Sequence, residues 1–450
     1  MPHRGRDTGE GGQECVPKLD SPAASESIFG YRMRDHDASI SRRDFVVGVG
    51  LCLSAVVMGV GRANAVDKAR VKVGFIIPEQ GPLSQESKSL ITGFEFFLKE
   101  KGSRPLEILR KDSGPDDQKT LEALTGLLVN QKVDFLVGPP SLNGSEKTIH
   151  GLAGTMAILF VTNPSVRLVA GEMCLPGIFR LRPNTYQAVQ PLAPWAVRNI
   201  GLKAFITGED DPQGNEEADF FAYAFEKSGG TFVDRVMLNS SSEKLKTILD
   251  GVENTSPDFV FASFRQKSAS TFLKAVRSGS SELKRPLIGP ESLTAFPGVL
   301  SVAGKASTGV RTLSCVKDPT DFADRLKRET GTEVSYVERA AEGYDIAHII
   351  YQAAVAGPDD AGDPLKLVKF VEDLSLDGPR GRVRFDKNHE PIVDMVVQEW
   401  QPSGRSFERK VVQELGPCRS LDFGCGQVGF PKKPESGARD EEVIWDDQNE

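Results

Sequence analysis

Short β-branched runs alternate with amphipathic stretches along this chain, and the alternation occurs twice. "VKVGFII" (71–77) is a continuous apolar run, as a strand covered on both faces requires. "KSLITGFEFFLKEKG" repeats apolar residues at helical spacing and stops at Gly102. "PLEILRKDS", "VDFLVGP" and "MAILFVT" read as further strands, with "DDQKTLEALTGLLVNQK" and "SEKTIHGLAG" as helices between them. Such a rhythm implies right-handed crossovers and a parallel sheet. After "GIFRLRPNT" it starts again, with strands at "LKAFITG", "TFVDRVML", "DFVFASF" and "RPLIGP". Their helices are "NEEADFFAYAFEKSGG", "SEKLKTILDGVENTSP" and "SASTFLKAVRSG". Two α/β units in succession predict two lobes rather than one large sheet. The later helices, "GYDIAHIIYQAAVAG" and "PLKLVKFVEDL", exceed what the second unit needs and are expected to pack back on the first.

The N-terminal region has a different character. Residues 1–38 are polar and Gly-rich, with no apolar period, and read as a disordered leader or as sequence ahead of a true start at Met33. Residues 39–65 hold Arg42 and Arg43 ahead of a mild apolar run loosened by glycines, then Ala63-Asn64-Ala65. That order reads as a twin-arginine signal peptide cleaved after Ala65, which would place the mature protein in the periplasm, with a retained membrane anchor as the alternative.

Composition narrows the function classes. With 39% apolar and 26% charged residues the chain can bury a core, and its net charge of −8 opposes nucleic-acid binding. GxxxxGK[ST], G-x-S-x-G and H-E-x-x-H are absent, and so is a helix-opening G-x-G-x-x-G after a strand. Beyond the tag, His150, His348 and His389 stand too far apart for ligand spacing, so neither a metal nor a cofactor is expected. His348 lies on an apolar helix face and reads as packing. Cys174, Cys315, Cys418 and Cys425 permit disulfides in an oxidising compartment. Cys418 and Cys425, close in sequence, are the expected bridge, with pairs involving Cys174 or Cys315 as the competing outcome.

Several segments together resemble the leucine/isoleucine/valine-binding family of extracytoplasmic solute-binding proteins, the type I periplasmic binding proteins. They are "VKVGFIIPEQGPLSQES", "VDFLVGPPSLNGS", "GEMCLPGIFRLRPNTYQ", "GLKAFITGEDDPQGNEEADFF", "PDFVFASF", "RPLIGPESLT", "AEGYDIAHIIYQAA" and "LDGPRGRVRFDKNHEPIVD". The resemblance covers roughly residues 70–400, and its most specific piece is Gly378-Pro379-Arg380-Gly381 before Phe385-Asp386. It implies an α/β fold of two Rossmann-like lobes, parallel sheets flanked by helices, joined by three hinge crossings near Phe179–Arg182, Val310–Cys315 and Arg384–Pro391. Lobe 1 would comprise 70–182 plus 314–385, lobe 2 183–313 plus 386–405, and a C-terminal tail 406–450. A small-molecule solute captured between the lobes would pass to an inner-membrane ABC permease. The protein would act as a monomer and not as an enzyme. A sensory module reporting ligand to a membrane receptor or kinase is the alternative.

Ligands of parallel sheets lie beyond the carboxyl ends of the strands. The loops there offer Gln85, Glu86, Ser141, Leu142, Asn143, Asn163, Pro164 and Ser165 in the first unit. The second offers Asp210, Asp211, Arg265, Gln266 and Glu291, with Tyr344, read as opening a helix, as a further candidate. Ser141–Asn143 and Asn163–Ser165 match the family segments that grip the solute's polar head. The chain departs from the amino-acid binders in two places. Asp211 stands where they carry an aromatic residue, and "FRQKSAS" lacks the acid near Ser268 that holds their ammonium group. Arg265 could instead hold a carboxylate through two parallel hydrogen bonds. The expected solute is therefore a small organic acid or amide, aromatic ones included, ahead of leucine, isoleucine or valine.

Overall fold

The computed structural model describes residues 71–421 except 103–105, 115–116, 153–154, 156, 170–172, 174, 240–244, 278–282, 296–303, 358–363 and 404–405. The leader, the signal segment with its cleavage site, Cys174, Cys425 and the acidic C-terminal stretch lie outside the described residues.

The first sheet holds β1 (Val71–Ile77), β2 (Leu106–Asp112), β3 (Phe135–Val137), β4 (Ile158–Val161) and β5 (Ile178–Arg180). All pairings are parallel, in the order β2-β1-β3-β4-β5. Its covering helices are α1 (Ser84–Lys101), α2 (Asp117–Thr125) and α3 (Leu142–Leu152). Val73 and Phe75 of β1, Phe135 of β3 and Phe160 of β4 are buried, as their uninterrupted apolar runs require. Each buried Phe contributes about 1.5–3 kcal/mol relative to an exposed one.

The second sheet repeats the plan. Its strands β6 (Lys203–Glu209), β7 (Thr231–Leu238), β8 (Phe259–Ser263), β9 (Leu287–Gly289) and β10 (Arg311–Ser314) run parallel in the order β7-β6-β8-β9-β10. Position for position this is the order of the first sheet. Around it lie α4 (Leu192–Asn199), α5 (Pro212–Lys227), α6 (Leu245–Thr255), α7 (Gln266–Val276) and the short α8 (Ser292–Ala295).

The chain then returns to the first sheet through α9 (Pro319–Thr330), α10 (Val337–Ala356) and α11 (Pro364–Glu372). Helix α10 packs on α1 at a contact that two glycines permit. A Cβ at Gly93 would lie 1.8 Å from the Ala340 carbonyl oxygen, and one at Gly343 would lie 1.8 Å from that of Leu90. Next come β11 (Leu376–Gly378), β12 (Gly381–Phe385), β13 (Pro391–Ser403) and β14 (Ser406–Cys418), joined antiparallel in sequence. Strand β13 also pairs antiparallel with β10 and so extends the second sheet.

Chain runs between the two sheets lie side by side. The Arg180 N–H donates to the His389 carbonyl at 3.1 Å, and Gln187 Nε2 donates to the Pro391 carbonyl at 2.7 Å. Arg380, in the Gly-Pro-Arg-Gly turn, is buried, pairs with Asp345 of α10 at 2.6 Å, and donates to the Leu181 carbonyl. That arginine ties the turn, the helix and the first run together.

One boundary needs correction. Residues 406–450 were expected to be tail, yet Ser406–Cys418 form a strand paired along the length of β13. Phe407, Arg409 and Val411 are half-buried while Glu408, Lys410 and Val412 between and after them are exposed, as suits a strand with one face on the sheet.

Candidate functional site

In a sheet of order 2-1-3-4-5 the crevice opens where the order reverses, between strands 1 and 3. Both sheets carry a cavity at that place. At the ends of β1 and β3 a cavity of about 500 Å³ is lined by Gln80–Leu83, Ser113, Gly114 and Pro140–Asn143, among others. At the ends of β6 and β8 a second, about 380 Å³, has Leu238, Leu245, Phe264 and Phe272 as its floor and Glu209 and Arg265–Ser268 as its rim. Gln266 Nε2 donates to the Pro82 carbonyl at 3.4 Å, so the walls of the two cavities touch.

Local backbone chemistry sets the first wall. Gly138 has φ 98° and its missing Cβ would meet the Ile76 carbonyl oxygen at 2.3 Å, which only glycine accommodates. The turn it makes delivers Ser141, Leu142 and Asn143 to the cavity. Ser141 Oγ accepts from the Gly144 N–H at 3.3 Å and so starts α3.

A third cavity lies where the chain runs between the sheets meet. It is small, about 40 Å³, with Pro164, Arg182, Gln213, Glu217, Glu291, Ser314, Cys315 and Arg339 on its wall. Arg182 Nη1 lies 3.8 Å from Glu86 Oε2 and donates to the Thr162 carbonyl at 3.3 Å. Arg339 pairs with Glu342 at 2.5 Å and faces Glu291 at 3.9 Å. Burial pulls the Arg182 guanidinium below its usual range, Arg339 beside it adds to this, and Glu86, Glu342 and Glu291 oppose it. For Arg339 burial is outweighed by Glu342, Glu291 and Glu86, which hold it above its usual range. Burial pushes the Cys315 thiol up to about 11, so it is a packed thiol rather than a nucleophile.

The residues expected from sequence fall into three sets. Ser141, Leu142, Asn143, Arg265 and Gln266 line the two outer cavities, and Pro164 and Glu291 the inner one. Others act as scaffold. Asn163 donates to the Pro140 carbonyl and accepts from the Ser165 N–H, while the Ser165 hydroxyl donates to Glu216. Asp211 caps α5 by accepting from the Gly214 N–H at 2.8 Å, and Asp210 accepts from Asn215. Gln85 is exposed, whereas Glu86 faces Arg182. Tyr344 stands outside all three. It lies inside α10, which begins at Val337, packs on Phe96, Phe97 and Phe322, and donates to Glu100 at 2.7 Å. Its place is explained by aromatic packing between α1, α9 and α10, not by a pocket.

Arg265 also departs from the role expected of it. Its Nη2 is bound to Glu209 at 2.8 Å and to Asp211, so its charge is already answered. Burial opposes ionisation there, but Glu217, Glu209 and Asp211 outweigh it and raise the guanidinium's pKa. The acid missing near Ser268 in sequence is restored in space, because Ser268 Oγ donates to Glu209. Sequence reasoning missed Arg182, Glu217 and Arg339. Arg182 had one signal, an R-x-R pair at a predicted crossing, where a strand should have been apolar.

Among the described residues, no group of three or more His, Cys, Asp and Glu could hold a metal ion, and no helix is long and apolar enough to cross a membrane.

Comparison with known proteins bears on this geometry. A family model described as "Periplasmic binding protein" matches residues 70–405. A "Leu/Ile/Val-binding protein homolog 6" of Brucella abortus (strain 2308) is 24% identical over 362 residues, 77% of this chain and 91% of that protein. An ABC transporter substrate-binding protein from Sphaerobacter thermophilus superposes with TM-score 0.72 at 20% identity, covering 78% of this chain and 100% of that one. A solute-binding protein of an ABC transporter from R. palustris, solved with benzoate, gives TM-score 0.67 at 21% identity over 79% of this chain and 99% of that one. LivJ from Streptococcus pneumoniae, solved with isoleucine, gives 0.63 at 16% identity over 76% of this chain and 99% of that one.

Proposed function

This chain belongs to the periplasmic binding protein family, and from that premise we propose that it is the extracytoplasmic solute-binding component of an ABC importer. Its two lobes would close on a small solute and present it to an inner-membrane permease, the protein acting as a monomer and without catalysis. The observation that carries this reading is the pairing of two equivalent crevices, one per sheet, joined by the Gln266–Pro82 hydrogen bond. A cleft walled by two separate units gains contacts on closure that neither wall makes alone, which is how a ligand shifts such an equilibrium.

The solute is a small organic acid or amide, with an aromatic acid ahead of leucine, isoleucine or valine. Benzoate bound to a protein of the same fold supports the aromatic acid. The polar rim and apolar floor at the end of β8 suit a flat amphipathic molecule. Export to the periplasm runs through the twin-arginine segment, and replacing Arg42 and Arg43 by Lys should trap the precursor in the cytoplasm. Mass spectrometry of the compound that co-purifies with the protein tests the function, followed by calorimetric titration with benzoate and with leucine. Capture of an organic acid supports the reading. Tight binding of leucine over benzoate overturns the solute class, and turnover of the captured compound overturns the receptor role.

A further inference from the structure

Two guanidiniums from distant parts of the chain, Arg182 and Arg339, stand on the wall of the inner cavity. Like charges seldom meet in a buried site unless something anionic lies between them or comes to it. The facing carboxylates are not equally held. Glu217 accepts from Ser263 and from Gln213, the latter at 2.8 Å. Glu342 is bound to Arg339 at 2.5 Å. Glu86 and Glu291 accept no hydrogen bond among the described residues, and their ion pairs with Arg182 and Arg339 span 3.8 and 3.9 Å. Glu86 is carried by α1 on the first sheet's side, so of these two only Glu291 reaches the arginines from the opposite side. Its charge bears on Arg182 and Arg409 as well as on Arg339.

Glu291 belongs to the second sheet's side of the cleft, in the turn between β9 and α8, whereas Arg339 is carried by α10 on the first. Separation of the two sides would therefore remove Glu291 from Arg339 and leave two neighbouring guanidiniums with less compensation. A cavity of about 40 Å³ admits a few waters at most, so a solute group can reach these arginines only where the Glu291 side chain has withdrawn. A neutral or cationic group would leave the lost charge unanswered. A planar carboxylate would answer it with the same geometry that Glu291 supplies.

We infer that Arg182 and Arg339 form a carboxylate-binding site at the floor of the cleft, which Glu291 fills from within when no solute is bound. The solute is accordingly a carboxylate whose acid group replaces that of Glu291. This inference rests on the solute-receptor reading and adds the site and the chemical class.

Chemical rescue tests it without knowledge of the natural solute. Glu291→Ala removes the resident carboxylate and leaves space of similar shape. Thermal unfolding of this variant is followed in rising acetate, with chloride and acetamide as controls. Acetate should raise the midpoint saturably towards that of the unmodified protein, while acetamide and chloride should not. The unmodified protein should not respond, and Glu291→Ala with Arg339→Gln should lose the response. An effect of acetate no greater than that of chloride or acetamide overturns the inference, as does an undiminished response in the double variant. Failure of the two readings is distinguishable. A captured solute with no carboxylate overturns the site and keeps the receptor, whereas rescue by acetate without any captured solute keeps the site and removes support for the receptor.

Discussion

Arg180 and Glu390 face each other at 3.3 Å with neither side chain exposed, and a second carboxylate, Glu216, acts on the same guanidinium. Two acids thus share one base beside the runs that join the sheets. Burial pushes both carboxyls up to about 7, with Arg180 opposing the shift at each and Thr185 opposing it further at Glu216. The native protein therefore keeps protons that the unfolded chain has already released above the ordinary carboxylate range. These groups make stability fall as pH rises from about 4.5 to about 7 and leave it flat beyond.

Glu390→Gln should remove part of that fall. Relative to the unmodified protein, the variant should gain stability between pH 5 and pH 8, by up to about 3 kcal/mol. Denaturant unfolding at both pH values measures it. A difference between the two proteins that does not change with pH contradicts the raised Glu390 carboxyl.

Arg265→Ala tests the position that sequence assigned to the solute. It leaves Glu209, Asp211 and Glu217 close together without their common cation. Asp211 is 41% exposed and water screens it, so the loss should be about 1–3 kcal/mol rather than the full cost of a buried orphan. Burial raises the Glu209 pKa, so that group takes up a proton as the pH falls and relieves the repulsion. The destabilisation should consequently be larger at pH 8 than at pH 5 in urea titrations. Equal losses at both would contradict the triad of acids around Arg265.

Gly343→Ala probes the contact of α1 with α10. The new Cβ would meet the Leu90 carbonyl oxygen, and the helices must part at a cost of about 1–3 kcal/mol. Gly93→Ala strains the same contact from the other helix, so once the helices have separated the second change should cost less. Chemical denaturation of both single variants and of the double variant measures this. A double-variant loss equal to the sum would show two independent contacts.

The repeated α/β plan was legible in sequence because each strand is a short apolar run and each helix carries its own period. The loops beyond the carboxyl ends of the strands followed from the same pattern, but the strand order did not. What sequence could not show is register across the sheet. The parallel pairing of β6 with β8 sets Gly208 beside Ser263, which brings Glu209 to Arg265 and Ser268 although "FRQKSAS" holds no acid. Nor could periodicity place Tyr344, since a tyrosine on an apolar helix fits an aromatic cluster and a pocket wall alike. Arg182 and Arg339 meet through the return of α10 to the first sheet; the return was expected from the surplus of helices, but which side chains it brings together has no local signature.

Strand β14 ends against the first run between the sheets. Gln187 Nε2 donates to the Cys418 carbonyl at 3.3 Å, and Asn184 Nδ2 donates to Ser420 Oγ at 2.7 Å. The last described residues therefore sit at what would be the pivot, and a door moves least at its pin. A dye attached at Leu421 would stay nearly still while the cleft shuts. Lys267 and Gln80, exposed beside the Gln266–Pro82 contact, lie on opposite jaws and would travel furthest. A donor and acceptor placed on that pair would read closure as a change in distance, with Leu421 as the stationary reference.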